Sequence, residues 1–110
     1  MKNLLFLLIT LFLYQCSDTT KYEDEIKAKY DIWKVESDGY KYSCELILKE
    51  RADESELREI AYYIQSQHSM YKTIFIGYYL KELGITEVYW ATTHFTPNLE
   101  VKINSFIEHQ

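Results

Sequence analysis

The residues of this chain that could move a proton, attack a carbon or hold a metal are few: three histidines, two cysteines and a scatter of carboxylates. His68, His94 and His109 include no pair at the i, i+4 spacing that sets two imidazoles on one helix face against a zinc ion, so no metal site is expected. The densest carboxylates, Asp53, Glu54 and Glu56, sit just ahead of a run with helical periodicity. Capping and the helix dipole account for them there without acid–base work. There is no G-x-S-x-G elbow, no glycine-rich phosphate loop and no cysteine with a histidine cue close by. No catalytic residue and no cofactor is therefore expected. The one place where chemistry could gather is the segment in which Trp90, Thr92 and His94 alternate, and the alternative function read from it is a ligand-binding or catalytic module with a pocket around His94 and Trp90.

Cys16 is informative for a different reason. Lys2 gives a positive start, the run from Leu4 to Tyr14 is almost wholly apolar, and Gln15-Cys16-Ser17-Asp18 then turns polar. That layout is an export signal. The apolar run is about half of the ~20 residues a spanning helix needs, and the first alanine is Ala28, so an A-x-A-like cleavage site is missing. Leu13-Tyr14-Gln15-Cys16 resembles the lipobox of bacterial lipoproteins. The resemblance implies a signal peptide over 1–15 and lipidation of Cys16, diacylated on sulfur in the manner of a palmitate anchor, as the mature N-terminus. The acidic residues soon after Cys16 resemble surface-export signals of Gram-negative lipoproteins, and Asp18 does not match the inner-membrane retention position. The implied location is the outer membrane, with the chain tethered to it through lipid.

From Cys16 onward the chain carries eleven basic against seventeen acidic residues, a net of −6. Scattered basic residues and this acidity argue against a nucleic-acid partner. With Cys16 lipidated, Cys44 has no partner within the chain, and its alternation with Tyr42 and Leu46 predicts a buried thiol. Eleven tyrosines, two tryptophans and five phenylalanines against three glycines and one proline describe a folded chain of one domain.

The elements that must position these residues read in order. An acidic tether is expected over 16–29 and a single domain over 30–110. Ile32, Trp33 and Val35 begin a strand, Ser37-Asp38-Gly39 turns with glycine free to take positive φ, and Tyr40, Tyr42, Cys44, Leu46 and Leu48 share one face of a second strand. Asp53 and Glu56 form a capping box for a helix whose Leu57, Ile60, Ala61 and Ile64 make a stripe. Residues 72–80 are apolar on both faces and belong in the sheet centre. Turns at 81–84 and 96–98 bound strands over 88–95 and 99–106. The expected fold class is α+β, a small, mostly antiparallel sheet in the order β-β-α-β-β-β with one helix packed on one face.

One helix cannot hide all the aromatics on alternating strands. Tyr89, Ala91 and Phe95 are expected in the core, leaving Trp90, Thr92 and His94, with Tyr78 and Tyr79, as candidate partner-binding residues on an open face. The functional expectation is a small envelope-anchored lipoprotein that acts as a protein-binding or adaptor module for an envelope or incoming protein, including an immunity-type inhibitor.

Overall fold

The structure, a computed structural model, describes residues 21–104. The expected signal peptide, Cys16, the first part of the expected tether and His109 lie outside the described residues. Residues 21–27 are helical (α1) and are followed by strand β1 (Tyr30–Ser37), strand β2 (Lys41–Leu48), helix α2 (Glu54–Gln67), strand β3 (Thr73–Leu80), strand β4 (Ala91–Phe95) and strand β5 (Leu99–Ile103). The fold is α+β, with the strands in spatial order β1-β2-β3-β4-β5. Neighbouring strands are antiparallel except β2 and β3, which run parallel because α2 carries the chain back to the starting edge between them.

The second strand reads as its alternation requires: Tyr42, Cys44, Leu46 and Leu48 are buried. Tyr40 does not join them, being 81% exposed just before the strand. The preceding turn is closed by the Asp38 carboxylate, whose Oδ1 accepts from the Tyr40 and Lys41 amides at 2.8 Å each. Those two amides hold the Asp38 carboxyl below its usual range. Gly39 does not take positive φ, because this side-chain turn makes it unnecessary.

Asp53 caps α2 through Oδ1, which accepts from the Glu56 amide at 2.8 Å. The Glu56 side chain turns to Lys29 at 3.6 Å, so half of the expected capping box is replaced by an ion pair with the segment before β1. Leu57, Ile60, Ala61 and Ile64 are all buried against the sheet. Beneath them lie Ile74, Ile76, Tyr78 and Leu80 of the central strand and Ala91, Thr93 and Phe95 of β4. The Tyr78 hydroxyl and Thr93 Oγ1, both buried, meet at 2.9 Å and satisfy each other. Gly84, at φ +73°, supplies the one left-handed turn among the described residues, with its amide bonded to the Leu80 carbonyl.

The domain starts earlier than Tyr30. Ile26 is 1% exposed within the core, and the Lys29 carbonyl accepts from the Lys49 amide, so residues from 21 onward are part of the folded unit instead of a tether.

The sharpest departure from alternation is at the start of β4. The Trp90 amide bonds the Tyr78 carbonyl, yet Ala91 is the residue opposite Tyr78 in the ladder. Two residues therefore face one, a β-bulge, and the faces of residues 89 and 90 swap relative to a regular strand. Trp90 goes into the core at 3% exposure, and Tyr89 goes to the open face. The strand accordingly begins at Ala91, three residues later than its apolar pattern suggests.

Phe95→Ala and Trp90→Ala should each lower stability by about 3–5 kcal/mol in urea unfolding, the usual cost of emptying a buried aromatic site. A Trp90→Ala variant as stable as the wild type would place that ring outside the core. The Cys44 thiol is pushed up to about 12, by burial first and then by the charge of Glu45. A polar thiol reagent should therefore label Cys44 slowly in the native domain and rapidly in denaturant.

Candidate functional site

The expected binding residues do not form one surface. Trp90 and Tyr78 are core residues, so neither is available to a partner. His94 and Thr92 are half-buried on the face away from α2, with His94 packed edge-on against Phe75 at 5.8 Å between ring centroids. Trp90 and His94 thus stand on opposite sides of the sheet and share no pocket. Tyr79 does lie on the open face but is 7% exposed, covered by Tyr89 at 5.2 Å.

That open face has its own order. Tyr89 lies across Gly77, where any Cβ would overlap its ring, and it also meets Phe75 at 5.7 Å. The Tyr79 hydroxyl donates to Glu45 Oε1 at 2.8 Å. Desolvation and that carboxylate together push the Tyr79 phenol up to about 12, and desolvation followed by the Glu45 charge also raises Tyr89. A phenol held protonated this firmly is a hydrogen-bond donor, not a base. Lys34, Glu36, Lys41 and Ser43 border a shallow hollow of about 320 Å³ beside this cluster.

The surface that the sequence reading missed is β1. Tyr30 is buried, and every later residue of the strand is exposed: Ile32 at 62%, Trp33 at 49% and Val35 at 50%. The register slips between Ile32, opposite Leu46, and Lys34, opposite Glu45, so Trp33 is the extra residue of a second bulge. In a regular strand Ile32 and Val35 would point to opposite faces. The bulge puts both on the α2 side, opposite Leu46 and Cys44. The signal was visible as an apolar pair three residues apart with a tryptophan between.

Why this side is bare follows from reach. Five strands spaced about 4.8 Å apart span roughly 19 Å, whereas a helix with its side chains is about 10–12 Å across. α2 lies nearest β4 and β5. Between it and β1 runs a groove of about 560 Å³, floored by Tyr42, Cys44 and Leu46 and walled by Ile64, His68 and Ile32. His68 stacks on Tyr42 with ring centroids 3.9 Å apart, closing the end of the floor beside the α2 C-terminus.

Among the described residues no group of three His, Cys, Asp or Glu side chains could hold a metal ion, and no helix is long and apolar enough to cross a membrane. Compared with protein-family models, curated proteins and solved structures, the chain finds no match in any of the three.

Gly77→Ala should lower the melting temperature in the wild-type background, because the new methyl evicts Tyr89. In a Tyr89→Ala background the same change should be neutral or stabilising, since alanine costs less backbone entropy than glycine in a strand. Equal destabilisation in both backgrounds would refute the ring-over-glycine packing. The raised phenols also set the alkaline limit. Tyr79 and Tyr30 ionise near 10 when unfolded and near 12 when folded, so the unfolded chain loses these protons first as pH rises. Cys44, raised from about 9 to about 12 on folding, adds to this loss, so stability should begin to fall near pH 9 and go on falling to about pH 12, as followed by chemical denaturation at each pH.

Proposed function

We propose that this chain is a protein-binding module of the bacterial envelope, anchored by lipid on Cys16 and engaging its partner through the β1 edge. The observation that carries the reading is the exposure of Ile32, Trp33 and Val35 on an edge strand beside a groove with an apolar floor. Edge strands with free backbone groups are templates for another chain, and soluble proteins blunt them unless the edge is used. Aromatic and branched apolar side chains beside such an edge supply the desolvated contact area that interface hot spots need.

The acidic balance fits a protein partner and disfavours nucleic acid. An adaptor holding an envelope protein and an immunity-type inhibitor meeting an incoming protein are both versions of this reading, since each needs a small tethered domain with one contact surface. The anchoring part rests on the apolar run that ends at Cys16, with the outer membrane as the proposed site.

Two measurements test the two halves. A clickable fatty-acid probe should label the wild type, and Cys16→Ala should abolish the label; a label that survives the substitution overturns the anchor. A photo-crosslinking amino acid in place of Trp33 should give adducts in intact cells, and these should vanish when Ile32 and Val35 are changed to Asp. No adduct at Trp33, or adducts indifferent to those changes, would overturn the edge as the contact surface.

A further inference from the structure

We infer that the β1 edge is occupied by a second copy of this chain, paired antiparallel about a two-fold axis through Val35. This rests on the reading of β1 as a protein-contact edge and names the partner. In the β1–β2 hairpin the Asp38 amide bonds the Lys41 carbonyl, so alternation along an antiparallel ladder directs the backbone groups of Glu36 and Lys34 toward β2. The N–H and C=O of Val35, between them, point outward from the edge. Two such strands related by a two-fold axis can exchange both bonds at Val35, each amide donating to the other copy's carbonyl.

The side chains agree with that register. With Val35 opposite Val35 of the second copy, Lys34 of each copy stands opposite Glu36 of the other. Lys34 and Glu36 lie on the open face, across β2 from Glu45 and Ser43, whereas Val35 lies on the helix face opposite Cys44. The Lys34–Glu36 pairs fall at non-hydrogen-bonded positions, where facing side chains are closest, and the symmetry makes the pair twice. Shifting the axis by half a residue either way loses this match: an axis between Lys34 and Val35 sets Lys34 against Val35, and one between Val35 and Glu36 sets Val35 against Glu36. An axis through Lys34 itself sets lysine against lysine.

The pairing also completes the groove. On the helix face the bare strip over β1, with Ile32 and Val35 half or more exposed, would adjoin the same strip of the second copy, so the apolar edges of both grooves would cover each other. One strand pairing is a small interface. A shared membrane anchor concentrates the copies and lets a weak contact suffice.

The test uses two differently tagged full-length chains co-expressed and crosslinked in the intact membrane before solubilisation, with co-purification of one by the other as the readout. Wild-type chains should co-purify. Lys34→Glu alone, or Glu36→Lys alone, should weaken co-purification by about tenfold, because each puts like charges opposite one another twice. Lys34→Glu in one tagged chain and Glu36→Lys in the other should restore it, since every facing pair is then opposite in charge, and misfolding of either single variant could not produce that rescue. Wild-type chains that do not co-purify, or reversals without effect and without rescue, overturn the second-copy assignment. Adducts at Trp33 that contain a different protein and never two copies of this chain overturn it too while leaving the contact edge itself standing.

Discussion

The 14-residue helix α2, with only the short α1 and its Ile26 beside it, has to cover one face of a five-stranded sheet, and the cover stops short of β1. This mismatch organises the rest of the molecule. The helix stripe of Leu57, Ile60, Ala61 and Ile64 sits over the middle and far strands, so the core deepens there and thins toward β1. Tyr78, the largest fully buried side chain, lies in the central strand, where its hydroxyl needs Thr93 to be tolerated. Toward β1 the same sheet face carries Val35 and Ile32, each half or more exposed.

The opposite face meets the shortage of helices differently. There Phe75, Tyr79 and Tyr89 tile the sheet themselves, with Gly77 as the space into which the Tyr89 ring lies. Aromatic rings turned flat over neighbouring strands remove apolar area from water without a second layer of secondary structure. Their polar tips gather at Glu45, which accepts from Tyr79. The face that composition marks as sticky is thus largely self-satisfied, and the face covered by the helix is the one left incomplete.

The sequence was legible wherever a periodic pattern ran unbroken. The alternation from Tyr42 to Leu48, the helical stripe of α2 and the doubly apolar β3 all stand where their spacing puts them. It misled at one tryptophan and was silent at the other. Trp33 and Trp90 each sit in a bulge, and a bulge shifts every residue on one side of it to the other face. Reading strict alternation through 88–95 sent Trp90 to solvent and Tyr89 to the core, the reverse of what the Trp90–Tyr78 backbone bond enforces. At β1 strict alternation would separate Ile32 from Val35, and the apolar strip they share depends on the bulge between them. Bulges are set by which carbonyl an amide finds across the sheet, a long-range fact that local spacing does not carry. The early domain start at Ile26 was obscured for a simpler reason: one apolar residue amid charged neighbours has no period.

These two bulges differ in consequence because of where they lie. Next to the central strand, the bulge at Trp90 is surrounded by pairing on both sides, so its effect is to choose which aromatic fills the core. At the edge, the bulge at Trp33 twists β1 and interrupts the outward ladder, which leaves a short regular stretch from Lys34 to Ser37 able to accept another strand. Bulges and inserted charges are the usual means by which edges resist indiscriminate pairing, and Lys34 and Glu36 add such charges within the remaining window. A strand arriving in the wrong register meets uncompensated charge, and one arriving with the complementary pattern does not. The features that protect β1 from aggregation are therefore the same ones that would make it selective, and selectivity is what distinguishes a contact surface from an exposed flaw.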